Sequence, residues 1–222
     1  MTTATVPAFR GNAFTRVVRR LGNDTQYVLV GFPLGIVTIS LLLTGVGLGA
    51  GMLVTVVGLP ILVATLFVAR GFAVLERLRA ASVLGADLPH PAYKVAQPGT
   101  GIFRRMLRPL SDVQSWLDLM HGILRFIPST IAFSFVVTWW AGALGGLTSS
   151  IWDRFIPYGN DSHDLPYLLG FGNGADTRIF FNTIAGVFFA LTLVPVVRWV
   201  ALLEARFAQG LLHGVAILRN QL

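Results

Sequence analysis

The sequence predicts an all-α integral membrane protein in which four transmembrane helices form two tandem parallel hairpin repeats, with amphipathic helices on the cytoplasmic surface. Three observations carry that prediction. Of 222 residues, 54% are hydrophobic and only 12% charged, about half the charge that a water-facing surface carries. The charges are concentrated, leaving long stretches that have none. The basic residues also divide very unevenly between the two sides that those stretches define.

Residues 26–69 are 44 positions without a formal charge. As one helix they would run about 66 Å, roughly twice the hydrocarbon thickness, so the chain must turn back. Gly45, Gly47, Gly49 and Gly51 mark the turn, because glycine relaxes the backbone where a chain reverses. Helix 1 is therefore placed at about 27–44 and helix 2 at about 52–69. Residues 126–147 and 179–197 are two further charge-free runs, each long enough to cross. The basic N-terminus ahead of an apolar stretch resembles a signal peptide. The stretch is too long and lacks a small-residue cleavage pattern, so it is expected to be retained.

Four crossings put both termini and the middle segment on one side. That side holds 15 of the 17 basic residues, and the other holds only Arg154 and Arg178. The positive-inside rule then makes both termini cytoplasmic and places the chain in the inner (plasma) membrane. An isoelectric point near 11.0 would suggest nucleic acid in a soluble protein, but here the orientation bias accounts for it, and no nucleic-acid partner is expected. Residues 14–21 and 102–124 mix arginines with apolar side chains and are expected to lie as helices on the inner surface of an anionic leaflet. Between helix 2 and the second of these segments, residues 87–101 contain Pro89, Pro91, Pro98, Gly99 and Gly101, the composition of a linker.

The chain reads as a single membrane domain, 1–222, built from two units, 1–100 and 101–222. At an offset of 95 residues Phe32-Pro33 falls on Ile127-Pro128, Ile36 on Ile131, and Gly47/Gly51 on Gly142/Gly146. At an offset of 128 the stretch Arg70 to Glu76 matches Arg198 to Glu204. Two crossings per unit return the chain to its starting side, so the units are parallel and related by an axis along the membrane normal.

Several residues are candidates for function. Gly31/Gly35, Gly47/Gly51 and Gly142/Gly146 have a spacing that lets helices approach closely, or that simply forms turns near helix ends. Each crossing contains a proline, Pro33, Pro60, Pro128 or Pro195, which either kinks its helix as a hinge or reflects ordinary membrane-helix composition. Arg70/Glu76 and Arg198/Glu204 flank the exits of helices 2 and 4. They are either snorkelling arginines beside solvated glutamates or the tails that relay a signal. The outer loop, about 148–178, gathers Trp152, Asp153, Arg154, Tyr158, Asp161, His163, Asp164, Asp176 and Arg178. It is a ligand-sensing surface or a solvated loop with an interfacial aromatic belt. A metal site there is disfavoured, because short local runs rarely supply converging ligands and their supporting contacts. No cysteine is present, no ionisable residue lies inside the four predicted crossings, and no catalytic motif occurs. A non-enzyme without cofactor or metal is expected.

The run from Asp24 through Gln26-Tyr-Val-Leu-Val-Gly-Phe-Pro-Leu-Gly-Ile36 and the following Leu-Leu-Leu-Thr-Gly-Val-Gly-Leu-Gly resemble the "putative sensor" domain of actinobacterial membrane proteins. So do Val57-Gly-Leu-Pro-Ile-Leu, Ala69-Arg-Gly-Phe-Ala-Val-Leu-Glu-Arg, and Trp116, Leu117 and Phe126 in the second unit. The resemblance implies a four-helix input module, often fused to a histidine kinase of a two-component system. Only 18 residues follow Glu204, so any kinase is expected to be a separate polypeptide. The leading expectation is a non-catalytic sensor or regulator that relays an envelope or bilayer stimulus to a separate histidine kinase, a regulator or a membrane partner, with homo-oligomerisation possible. The alternative is a structural accessory subunit of a larger transporter or respiratory complex.

Overall fold

The computed structural model describes residues 12–86, 93, 101, 106–156, 165–172 and 174–219, with backbone alone at 154, 165 and 212–219. All regular elements among them are helical. They are α1 (Ala13–Gly51), α2 (Gly58–Leu84), α3 (Val113–Leu124), α4 (Phe126–Leu147), α5 (Ser149–Trp152), α6 (Leu165–Leu168) and α7 (Ala175–Arg219), with 3-10 turns at Arg108–Ser111 and Asp153–Phe155. Four stretches are long and apolar enough to cross a membrane: α1, α2, Val113–Leu147, and Ala175–Leu211 within α7. The chain is a multi-pass helical membrane protein.

Polar side chains within these helices hide their own hydrogen-bonding groups. Thr38, Thr65, Thr130 and Thr192 each donate to the carbonyl four residues back, at 2.7–2.8 Å. In hydrocarbon that bond replaces the water a hydroxyl would otherwise need. Two tryptophans bond between helices: Trp139 Nε1 donates to Thr192 Oγ1 at 3.0 Å and Trp140 Nε1 to Thr25 Oγ1 at 3.2 Å.

Several elements differ from the sequence reading. Helix 1 and the preceding segment 14–21 form one 39-residue helix, α1, so those residues are the first turns of α1 and not a separate surface helix. The chain reverses after the glycines, at residues 52–57, where the Gly58 amide donates to Met52 O at 3.2 Å. Gly45 and Gly49 lie inside α1 and face α2. A Cβ on Gly45 would collide with Thr65, and one on Gly49 would stand 2.6 Å from Leu62 side-chain atoms. Gly47 and Gly51, the expected packing pair, have open space where a Cβ would go. Here glycine brings α1 and α2 together by removing side-chain bulk, and the turn follows where that contact ends.

In the second pair of helices the expected glycines do make the contact. A Cβ on Gly142 would stand 2.6 Å from the Phe189 ring, and one on Gly146 would stand 2.5 Å from Asn182 O and Gly186 Cα. Gly186 was not singled out from sequence, yet it completes the backbone-to-backbone crossing of α4 and α7. Gly35 makes only ordinary contact with Phe126 and Ser129, at 3.9 Å.

Pro33 and Pro195 lie deep within α1 and α7. Pro60 and Pro128 each occupy the third helical position, counting from Gly58 of α2 and from Phe126 of α4. The reversal at 52–57 precedes Pro60, so that proline sits in a first helical turn and has no intrahelical bond to lose. Pro128 differs, because α3 runs into α4 through Arg125 in helical conformation, with Arg125 N bonded to His121 O and Ser129 N to Arg125 O, so it interrupts a continuing helix. α2 and α7 also run on past the apolar stretches, and α2 stops at Gly85, whose φ of +69° is the left-handed conformation of a helix-ending glycine.

α3 turns its polar side chains into the bundle and its apolar ones outward. Gln114, Ser115, Asp118 and His121 are buried in the bundle, whereas Val113, Trp116, Met120 and Leu124 are exposed. The exposed apolar stripe continues through Ile127 and Ile131 of α4. Arg104 and Arg105, part of the expected basic face, lie outside the described residues.

Two substitutions test the packing assignment. Gly186→Ala places a Cβ against the Gly146–Leu147 backbone and is expected to cost about 2–3 kcal/mol. Gly47→Ala meets nothing and is expected to be neutral or stabilising by up to about 1 kcal/mol. Unfolding in mixed micelles measures both, and equal effects would refute the assignment.

Candidate functional site

Five carboxylates occupy the end of the bundle where the apolar stretches stop: Asp24 on α1, Glu76 on α2, Asp112 and Asp118 at the start of and within α3, and Glu204 on α7. All five are buried. A buried carboxylate is tolerable only when paired and hydrogen-bonded, and each has an arginine.

At the centre is Arg125, at the junction of α3 and α4. Its Nη1 lies 2.8 Å from Glu76 Oε2 and its Nη2 lies 3.5 Å from Glu204 Oε1. Glu76 has two more partners. Tyr27 Oη donates to Oε1 at 2.7 Å and Arg79 Nη1 donates to Oε2 at 2.9 Å. Arg79 also donates to Tyr27 O and stacks over the Tyr27 ring, 4.9 Å from its centroid. Glu204 is 2% exposed and has its arginine only at 3.5 Å, with the Ser129 hydroxyl beside it. One guanidinium therefore holds one glutamate tightly and the other loosely.

Gly31 makes room for this group. A Cβ there would stand 3.2 Å from Arg79 Nη2 and Glu204 Oε1, and 3.3 Å from Arg125 Nη2. Its role is to face the charges across α1, not to pair with Gly35 against another helix.

Around the centre lie three peripheral pairs. Arg198 Nη1 donates to Asp24 Oδ1 at 2.9 Å and to Val83 O at 3.1 Å. Arg70 donates through Nη2 to Asp112 Oδ2 at 2.8 Å and through Nε to Ser115 Oγ at 2.9 Å. Arg77 Nη2 meets Asp118 Oδ1 at 3.1 Å. Tyr93 closes over the second and third pairs: its ring lies 4.3 Å from the Arg70 guanidinium and its hydroxyl donates to Asp118 Oδ2 at 2.7 Å. Burial, reinforced by that hydrogen bond, pushes the Tyr93 phenol up to about 12, so it remains a donor at any physiological pH. His121 is buried among these groups with neither ring nitrogen hydrogen-bonded.

The sequence candidates fare differently. Arg70, Glu76, Arg198 and Glu204 all belong to this layer, but both glutamates are buried and paired, not solvated. Their charge could not be left in an apolar bundle without arginines. Asp24, Tyr27, Arg77, Arg79, Asp112, Asp118 and Arg125 were not singled out. The available signal was the position of scarce carboxylates beside apolar runs.

Of the outer-loop candidates, Tyr158, Asp161, His163 and Asp164 lie outside the described residues, as does the Arg154 side chain. Asp153 and Arg178 come together at 3.7 Å. Trp152 turns inward to donate to Gly145 O at 3.0 Å, and Asp176 lies exposed in the first turn of α7, where the helix dipole favours an acid. Among the described residues no three His, Asp or Glu side chains converge as metal ligands would.

Four membrane-crossing stretches joined at one end by a buried layer of ion pairs define a polytopic helical membrane protein. The chain belongs to the family described as "Putative sensor", which matches residues 27–212. Neither a curated protein nor a solved structure matches it.

The unequal grip of Arg125 has a measurable consequence. Arg125→Met leaves Glu204 buried without an arginine and takes one of two arginines from Glu76, and is expected to cost about 3–5 kcal/mol. Glu204→Gln removes a charge that Arg125 holds only at 3.5 Å and is expected to cost less than about 1 kcal/mol. Unfolding in mixed micelles compares them, and a Glu204→Gln loss as large as that of Arg125→Met would show that Glu204 is firmly held.

Proposed function

We propose that the chain is a non-catalytic membrane sensor in which the buried charge layer converts a shift in helix packing into a signal for a separate partner. The observation that carries this is the asymmetry at Arg125. It lies between glutamates on α2 and α7, bound closely to Glu76 and only loosely to Glu204. A layer in which every charge needs a partner, but one guanidinium serves two acids, has a second arrangement: Arg125 moves onto Glu204 while Tyr27 and Arg79 keep Glu76 satisfied. Two discrete arrangements are what a stimulus needs in order to shift a population. The family description supports a sensor-like role.

In this reading both termini face the cytoplasm of an inner-membrane protein, as the 15-to-2 division of basic residues supports. The tails of α2 and α7 present the change to a histidine kinase or other regulator. The two-unit organisation draws support from a reciprocal exchange of ion pairs. Asp24 of the first unit holds Arg198 of the second, and Asp112 of the second holds Arg70 of the first. The accessory-subunit reading rests on the exposed aromatics Phe180, Phe188 and Trp199, which suit a protein partner as well as lipid. Stoichiometric co-purification with a transporter or respiratory complex from native membranes would favour it.

Because the chain has no cysteine, spin labels on Ser82→Cys and Phe207→Cys report the separation of the α2 and α7 tails cleanly. Glu204→Gln should sharpen the distance distribution around one value, and Glu76→Gln should shift it, since each leaves Arg125 a single carboxylate. Superimposable distributions in the two variants would sink the two-arrangement reading. Normal regulation of the partner in cells carrying Arg70→Ala with Arg198→Ala would sink the relay.

A further inference from the structure

Beside the charge layer, α1 and α7 enclose a cleft of about 290 Å³. Val17 and Leu21 form one wall, Val194 and Trp199 the other, and Arg20 and Arg198 bring positive charge to it. We propose that this cleft binds the headgroup and glycerol region of an anionic phospholipid.

Depth is the first argument. Val194 and Pro195 lie near the end of the charge-free run 179–197, and Arg198 is the first charge after it, so the cleft spans the level where acyl chains give way to headgroups. Trp199, 70% exposed, stands at that level, as tryptophan does at membrane interfaces. The second argument is a guanidinium on the cleft wall. Arg198 lines the cleft with its side chain 19% exposed, while Nη1 is spent on Asp24 and Val83 O. A phosphodiester oxygen is the acceptor that a guanidinium N–H at a headgroup boundary is suited to take.

The third argument is charge. Asp24 and Arg198 cancel, so the exposed Arg20 leaves the cleft with a net positive charge. Anionic lipid neutralises it. A zwitterionic lipid offers the same phosphate but carries its own cation to meet Arg20, and gains less. The apolar walls suit the first methylenes of the acyl chains, which a free phosphate cannot supply. This inference concerns binding alone and does not depend on the sensor reading.

The test is native mass spectrometry of the full chain in detergent, titrated with phosphatidylglycerol or phosphatidylcholine of identical acyl chains. Phosphatidylglycerol should bind about fivefold more tightly, the scale expected for one arginine near an anionic headgroup. Arg20→Gln should abolish that preference without affecting phosphatidylcholine. Arg16→Gln, an exposed change on the same helix that does not line the cleft, should leave it intact. Equal affinity for the two lipids would overturn the proposal. So would an Arg16→Gln loss equal to that of Arg20→Gln, which would mean diffuse attraction to the basic segment. Displacement of the lipid by excess inorganic phosphate would show a simple anion site instead.

Discussion

A charge that cannot reach water must find its opposite, and in this protein the opposite almost always lies on another helix. Asp24 joins α1 to α7, Asp112 and Asp118 fasten α3 to α2, and Arg125 spans α2 and α7 from the head of α4. Apolar side chains in lipid have little reason to prefer one helix neighbour over another, because lipid tails are as apolar as leucine. The ion pairs do have such a preference. They fix which helices meet at one end of the bundle, while close glycine contacts fix the approach along the spans: Gly45 and Gly49 for α1 with α2, Gly146 and Gly186 for α4 with α7. Gly31 serves both purposes, since its missing side chain is what lets α1 lie against the charges.

The four crossings were legible because hydropathy and charge segregation are coarse signals that no detail of packing can erase. Finer features were lost where one residue type serves two purposes. Glycines at 45–51 read as a turn, but two of them hold α1 against α2, and the reversal falls after them. Pro60 reads as a kink, but it occupies a first helical turn where it breaks no bond. Residues 113–124 carry polar and apolar faces that any amphipathic helix would show. The sequence contains no statement of which face meets lipid, and the answer came from Asp118 and Ser115 needing Arg77 and Arg70.

The charge layer was half legible for a related reason. Glu76 and Glu204 attracted notice because the segments around them match, and their position was right, but a glutamate leaving a membrane helix normally finds water. Only a guanidinium placed between them by a different helix turns two solvated acids into a buried pair. Arg125 stands one residue before an apolar run, where an arginine is unremarkable in a positive-inside protein. Its partners are 49 positions away toward the N-terminus and 79 toward the C-terminus, beyond the reach of any local pattern.

The periphery of the layer determines what can influence its centre. Arg125, Glu76 and Glu204 are sealed from the surroundings, so a stimulus reaches them through the outer pairs or through the helices themselves. Arg198 is the outer arginine whose neighbours include a cleft at the headgroup level, and it is joined through Asp24 to the same helix that carries Tyr27 and Gly31. A lipid phosphate on Arg198 would compete with Asp24 for one guanidinium, loosening α1 from α7 at the level where Gly31 faces Glu204. If composition of the bilayer is what this protein reports, the α1–α7 side is where the signal enters, and the distance between Arg125 and Glu204 is what it changes.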